Sequence, residues 1–230
     1  METGGVSRRD QLRGMSVGIG LAIAAFCLSV VFGLLYGIPV FFLGFDLTSP
    51  SVIAGAIVAG HFGLLVIAFF YTRKKGLKVS YGVPSLDGTR VLVLGLLLTV
   101  TGTWILVTAG SSVVQGIRLP VDTSDPRTLF LLSIVLLFIA VPVEEYLFRG
   151  VIQRRIDETL WTPVAIVSSS VLFALLYLPN YLGSFTDIGH GLLLITFFGL
   201  VFGTAYERTG NLMIPIIIHA VVRLFLLYPG

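Results

Sequence analysis

Long apolar runs separated by short polar segments are the main pattern of this chain. Runs near the length of about 20 residues that crosses a bilayer recur along almost the whole sequence. Their polar, Gly and Pro boundaries predict about seven helical spans, at roughly residues 15–43, 51–71, 91–113, 128–148, 160–179, 188–206 and 211–228. We therefore expect an all-α, polytopic membrane helix bundle that forms a single membrane domain over residues 1–230.

The composition agrees with a membrane environment. Hydrophobic residues make up 56% of the 230 residues and charged residues only 12%, whereas a soluble domain has roughly 25% charged residues. The first apolar run, from about Met15 to Phe45, is too long for a cleaved signal peptide and lacks a clear small-residue cleavage site. We expect it to be a retained first helix. The single cysteine, Cys27, provides neither a disulfide framework nor a cysteine-based metal site.

The distribution of positive charge predicts an orientation, because Lys and Arg accumulate on cytoplasmic loops. One predicted side has Arg8, Arg9, Arg13, Arg73, Lys74, Lys75, Lys78, Arg90, Arg154, Arg155 and Arg208. The other side has only Arg118 and Arg127. We expect a cytoplasmic N-terminus in a multi-pass protein of the cell membrane. The net charge of +3 indicates contact with membrane lipids rather than with nucleic acid, since the basic residues lie at helix ends beside anionic headgroups.

Two adjacent carboxylates end the fourth apolar run. A charge at the centre of a bilayer costs about 3 kcal/mol, so an ionisable residue there needs a partner or a function. Arg149 follows Glu145 by one helical turn and is predicted to pair with it, while Glu144 faces about 100° away. Neighbouring carboxylates in a low-dielectric environment form a general-base arrangement. A helix-end salt bridge explains this segment equally well.

A second polar pair, His219 and Arg223, lies one turn apart inside the last apolar run. Arg223 has apolar neighbours and must find a carboxylate, backbone carbonyls or water. An interhelical hydrogen bond is the usual role of such a histidine. However, Glu144 and Glu145 are the only acidic residues well inside the predicted spans, so one shared polar cluster is the most economical arrangement.

Other polar and small residues give weaker indications. Tyr177, near the end of the fifth span, has a position typical of the interfacial aromatic belt. His61 and His190 have no acidic neighbour at helical spacing, and we assign both to packing or to the interface. The small-residue spacings Gly14/Gly18 and Gly199/Gly203 predict close contacts between helices.

Three motifs in residues 128–228 resemble, in order and approximate spacing, those of the CPBP intramembrane proteases. They are Glu144-Glu145-x-x-x-Arg149, Phe173-x-x-x-Tyr177 and His219-x-x-x-Arg223. The family includes the type II CAAX prenyl endopeptidases and the bacteriocin-processing (Abi) proteins. The resemblance implies a CPBP-like core over residues 128–228 and a glutamate-dependent peptidase, often labelled a metalloprotease.

The family pattern implies roles for the matching positions. Glu144 matches the glutamate that activates water, and His219 matches a histidine that stabilises the oxyanion. Tyr177 stands where the pattern has a second histidine, and Arg223 stands where it has an asparagine. Tyr177 can orient a water but is a poor base at neutral pH. Arg223 keeps hydrogen-bond donors for an oxyanion, although it could also hold Glu144 in an ion pair.

These observations lead to two hypotheses. The first is an intramembrane endopeptidase that cleaves a membrane-associated peptide or protein, prenylated if the substrate is of the CAAX type. Its catalytic residues would be Glu144, Glu145, Tyr177, His219 and Arg223, with Arg149 as structural support. No cofactor is expected. Zinc is implied by the family label only, because a tight site needs three or four ligands and only Glu144, Glu145 and His219 are available. The alternative is a catalytically silent member that binds a membrane peptide or protein.

Overall fold

The structure is a computed structural model that describes residues 7–108, 125–180 and 185–228. Within these ranges the regular secondary structure is entirely helical. We number the main helices α1 Arg8–Phe42, α2 Pro50–Lys75, α3 Leu86–Thr108, α4 Pro126–Asp157, α5 Thr162–Leu176, α6 Phe185–Thr209 and α7 Met213–Leu227. A short 3₁₀ turn, Leu178–Asn180, follows α5.

The predicted all-α membrane bundle is confirmed. Among the described residues, five helices are long and apolar enough to cross a membrane, and α5 and α7 are shorter apolar helices. Each predicted span overlaps one of these helices, although residues 109–113 of the third span lie outside the described residues. The exact number of crossings stays a prediction.

The helix ends have local causes. Asp125 caps α4 by accepting hydrogen bonds from the backbone N–H groups of Arg127 and Thr128, and Pro126 occupies the first turn, where its missing N–H costs nothing. After α2, Gly76 adopts φ +63°, a left-handed conformation that a residue with a side chain rarely adopts.

Helix α4 is longer than its apolar run and irregular. It continues to Asp157, and π-helical segments Leu136–Ala140 and Tyr146–Gln153 flank a short α-helical segment, Val141–Glu145. About 20 Å of helix axis, at about 1.5 Å per residue, therefore separates Glu144 from Asp157. The irregular turns flank the two carboxylates, and π-turns inside α-helices are frequent at functional sites.

Glycines let several helices approach each other closely, as the small-residue spacing predicted. Gly14 and Gly18 of α1 face Thr159 and Ile156, so that an added Cβ would collide with these side chains. Gly199 of α6 faces Ser170 of α5 in the same way. The packing role predicted for these glycines is confirmed.

Three segments with basic residues lie at one end of the bundle. The Arg154 guanidinium donates to the Lys78 carbonyl at 2.5 Å. The Asn211 side chain exchanges two hydrogen bonds with the backbone of Gly82. The segment before α3 therefore contacts both the end of α4 and the turn before α7, which agrees with the predicted grouping of charges. The assignment of this end to the cytoplasm stays a prediction.

The outer surface is apolar and the interior is aromatic and polar. Phe42, Phe138 and Leu193 are among many exposed large hydrophobic side chains, as expected for a surface in contact with lipid. Phe148 and Phe173 are buried at the centre together with charged groups of α4. The polar interior is where a functional site would lie.

Candidate functional site

A buried ion pair anchors the central cluster. Glu145 and Arg149 of α4 have side chains that are 0% exposed, with Arg149 Nε 3.2 Å from Glu145 Oε2. The Nε–H group does not point at this oxygen, so the contact is electrostatic rather than an aligned hydrogen bond. The Arg149 Nη2 group donates to the Gly199 carbonyl at 3.1 Å.

Aromatic rings surround the Arg149 guanidinium. Its Cζ lies 4.7 Å from the centre of the Phe173 ring and 5.5 Å from that of Phe202. Contacts of this kind attract a cation through the electron-rich ring face. The guanidinium is therefore compensated by a carboxylate, a carbonyl and aromatic faces, although its Nε and Nη1 groups make no hydrogen bond.

His219 of α7 connects this ion pair to the second carboxylate. Its Nδ1 lies 2.8 Å from Glu145 Oε1, and its Nε2 lies 3.7 Å from Glu144 Oε2. The ring stacks on Phe202 at a centroid distance of 4.8 Å. Because the Glu145 carboxylate is paired with Arg149, it is ionised and can only accept a hydrogen bond. The hydrogen of this contact must therefore lie on His219 Nδ1. The Nε2 atom of a neutral His219 therefore presents its lone pair towards Glu144.

Glu144 is the point where three helices, α2, α4 and α7, and the end of α5 meet. The Tyr177 hydroxyl donates to Glu144 Oε2 at 2.5 Å, and the Arg223 guanidinium lies 3.6 Å from Oε1. Arg223 also donates to the Tyr177 hydroxyl, and its Cζ lies 4.8 Å from the ring centre. On the other side, His61 Nε2 of α2 lies 2.9 Å from Glu144 Oε1. The carboxylate is 3% exposed, so its protein contacts replace water.

A small cavity adjoins these groups. It has a volume of about 20 Å³ and is lined by Tyr177, His219 and Arg223 together with apolar and aromatic side chains of α5, α6 and α7. A cavity of this size accommodates about one water molecule. Its surface is almost entirely apolar and Glu144 is not among its lining residues, so the cavity lies beside the polar cluster rather than at the carboxylate.

Comparison with known proteins finds a family match over the part of the chain that contains most of these residues. Residues 126–225 match the family model described as Type II CAAX prenyl endopeptidase Rce1-like. This part of the chain belongs to that family. Neither a curated protein nor a solved structure matches the chain significantly. The apolar helices indicate a multi-pass membrane protein, and residues 126–225 are similar to a family of proteases.

The structure brings together all the residues that the sequence predicted for the candidate site. Glu145 and Arg149 form the predicted pair, and His219 bridges the two carboxylates. Tyr177, which directly follows α5, contacts Glu144 rather than the lipid interface. Arg223 lies beside a carboxylate, which is one of the partners that its apolar surroundings predicted. The catalytic roles of these residues stay predictions.

The assignment of His61 to packing or to the interface is wrong. Its ring contacts Glu144, which is 83 residues away in the sequence. The assignment rested on the lack of an acidic neighbour at helical spacing within α2, but the partner comes from α4. The signal that could have found this contact was the ionisable side chain itself, because an ionisable residue inside an apolar span needs a polar partner. His190 is exposed in the first turns of α6.

The donor groups of this CAAX endopeptidase-like site do not suit a zinc ion. In the described part of the chain, no cluster of three or more His, Cys, Asp or Glu residues has a geometry that could hold a metal. Glu145 is occupied by Arg149 and His219. The Arg223 guanidinium, 3.6 Å from Glu144, would repel a dication at that carboxylate. Hydrolysis at this site would therefore rely on the side chains of the protein.

Proposed function

We propose that the protein is an intramembrane endopeptidase in which Glu144 activates a water molecule to cleave a membrane-associated peptide or protein. The observation that supports this proposal best is the convergence of His219, Tyr177 and Arg223 around the Glu144 carboxylate. The same three side chains also line a water-sized cavity. A base, hydrogen-bond donors and space for the nucleophile are the minimum for peptide hydrolysis.

The first chemical step requires a base and an oxyanion site. Glu144 would take a proton from the water as its oxygen attacks the peptide carbonyl carbon, so that the carbonyl oxygen becomes an oxyanion. Arg223 would donate a hydrogen bond to that oxygen, and His219 would donate from Nε2 in its imidazolium form, with Nδ1–H kept on Glu145. Removal of one oxyanion donor typically lowers the rate about 100-fold or more, which makes these donors a large part of the expected catalysis.

The second step breaks the peptide bond. The tetrahedral intermediate would collapse as Glu144 returns its proton to the leaving nitrogen, which gives a free amine and a carboxylic acid. Tyr177 would orient the carboxylate through its hydroxyl group. Glu145, held by Arg149, would fix the orientation of the His219 ring so that Nε2 faces the reaction, because the Glu145 carboxylate accepts from Nδ1.

The cellular context is part of the same proposal. The single membrane domain over residues 1–230 would lie in the cell membrane with a cytoplasmic N-terminus. The substrate would be a membrane-associated peptide, and the family description suggests a prenylated CAAX terminus as the first sequence to test. Membrane lipids would contact the apolar outer surface.

One observation favours the alternative function, a silent member that only binds a membrane peptide. Both oxygens of Glu144 already contact protein groups, and the guanidinium of Arg223 is one of them. A carboxylate held in this way is a weak base unless substrate binding loosens the contacts. Such a protein would keep the fold and the pocket without hydrolysis.

A cleavage assay separates the two functions. The purified full chain in detergent would be incubated with internally quenched peptides, with and without a farnesylated Cys-aliphatic-aliphatic-X terminus, and compared with Glu144→Gln. We expect Glu144→Gln to lower kcat by about 100-fold or more. Rates that do not change with this substitution would exclude Glu144 as the base. Peptide binding without cleavage by the unmodified protein would establish the silent alternative.

A further inference from the structure

His61 is bound in a way that determines where its hydrogen lies. Its Nδ1 lies 2.7 Å from the carbonyl oxygen of Ile57, one turn earlier in α2. A carbonyl oxygen only accepts hydrogen bonds, so Nδ1 must be the donor. The ring is therefore held by its own helix, with Nε2 pointing away from the Ile57 carbonyl.

One proton consequently lies between His61 Nε2 and Glu144 Oε1. If Glu144 is ionised, His61 is an imidazolium and donates from Nε2. If His61 is neutral, Nε2 accepts and Glu144 Oε1 must carry the proton. In both cases the 2.9 Å distance is that of a hydrogen bond, and the pair holds one proton between a nitrogen and an oxygen.

The two oxygens of Glu144 have different partners. Oε1 contacts His61 at 2.9 Å and Arg223 at 3.6 Å, whereas Oε2 contacts Tyr177 at 2.5 Å and His219 at 3.7 Å. His61 thus contacts the carboxylate oxygen that Tyr177 does not contact. Of the three histidines in the sequence, two reach the same carboxylate.

We propose that His61 is a positioning residue for Glu144, whose Oε1 it holds through a shared proton so that Oε2 faces Tyr177 and His219. This inference rests on the proposed function only for its effect on hydrolysis. His61 lies outside residues 126–225, the part that matches the family. A helix from the N-terminal half therefore completes a site whose other members come from the C-terminal half.

The effect on hydrolysis can be measured with two substitutions and one control. His61→Phe keeps a ring but removes the hydrogen bond, and His61→Gln keeps a donor for Oε1. With the quenched peptides described above, we expect His61→Phe to lower kcat by at least about tenfold and to leave KM within about twofold. His61→Gln should retain more activity than His61→Phe. The matched control His190→Gln, at an exposed histidine, should behave like the unmodified protein.

A second measurement does not depend on activity. The three histidines would be labelled with ¹⁵N, and NMR spectra of the full chain in detergent would be assigned with the single substitutions. We expect Glu144→Gln to change the Nε2 chemical shift of His61 and to leave His190 unchanged. Unaltered His61 shifts would overturn the proposed shared proton.

The outcomes for the two proposals are distinguishable. If Glu144→Gln abolishes cleavage but both His61 variants retain the full rate, His61 has no positioning role and the proposed function stands. If the unmodified protein cleaves no peptide, the proposed function fails, and the NMR shifts decide the His61 inference. If His61→Phe lowers the thermal unfolding temperature, kcat is compared for His61→Gln instead. The inference would be overturned if His61→Gln retains the full kcat and if Glu144→Gln leaves the His61 Nε2 chemical shift unchanged.

Discussion

The guanidinium of Arg223 lies 3.6 Å from Oε1 of Glu144, although the two residues come from different helices. The same guanidinium donates to the hydroxyl of Tyr177, which donates in turn to the other oxygen of Glu144. Arg223 is therefore placed either to receive an oxyanion or to restrain the base. Substitutions of this residue distinguish the two effects.

We expect Arg223→Leu to lower kcat by about 100-fold or more, because it removes a donor to the oxyanion. Arg223→Asn keeps a side-chain donor and should lose less activity. The measurement is the cleavage of quenched peptides at saturating concentration. A rise in kcat for Arg223→Leu would contradict the oxyanion role and would show that the ion pair restrains Glu144.

The buried pair Glu145–Arg149 should contribute strongly to folding. Arg149→Met leaves the Glu145 carboxylate buried without its cation, and loss of one partner of a buried pair costs about 3–5 kcal/mol. The free energy of unfolding would be measured in mixed detergent micelles. The double variant Glu145→Gln/Arg149→Met should recover part of the loss.

A matched control for this substitution is Arg90→Met. Arg90 pairs with Asp87 at 3.0 Å, but the two side chains are 80% and 89% exposed. Exposed pairs contribute little to stability, so no measurable change is expected. Equal losses for Arg90→Met and Arg149→Met would show that burial does not determine the contribution of the pair.

Gly63 should be required for the contact between α1 and α2. A Cβ at this position would lie 2.6 Å from the carbonyl carbon of Leu28 and 2.6 Å from the backbone nitrogen of Ser29. Backbone atoms cannot move aside as a flexible side chain can. We expect Gly63→Ala to lower the free energy of unfolding by about 1–3 kcal/mol.

Gly20 provides the control in the same helix pair. A Cβ there meets no atom within 4 Å, and Ala is favoured over Gly by about 1 kcal/mol inside a helix. Gly20→Ala should therefore leave stability unchanged or raise it. A loss at Gly20 as large as that at Gly63 would argue against close packing as the cause.

The N-cap of α4 should make stability depend on acidic pH. Hydrogen bonds from the Thr128 side chain and from the backbone N–H groups of Arg127 and Thr128 lower the pKa of Asp125 below its ordinary value of 3.8. The stabilisation is complete above that ordinary value and is lost as the pH falls through the lowered pKa.

Thermal unfolding of the unmodified protein and of Asp125→Asn, between pH 7 and acidic pH, tests this expectation. Asn keeps an acceptor for the cap but does not titrate. We expect the advantage of Asp125 to persist down to about its ordinary pKa and to shrink at lower pH. A constant difference across this range would exclude the titration of Asp125 as the cause.

Much of the fold could be predicted because hydrocarbon imposes a simple requirement. Apolar runs of sufficient length become helices, since every backbone polar group must be satisfied within its own segment. The pairing of Glu145 with Arg149 was also predictable, because the two residues are one turn apart in the same helix. The irregular turns that flank Glu144 and Glu145 were not indicated by any local pattern.

The sequence by itself determined that this chain is an apolar helical bundle with acids on α4 and bases on α7 in need of partners. Only the tertiary structure decided which partners meet, since contacts between helices depend on packing and not on spacing along one helix. His61 is the clearest case. Its own helix offers only the Ile57 carbonyl, and the packing of α2 against α4 brings the Glu144 carboxylate to its second nitrogen.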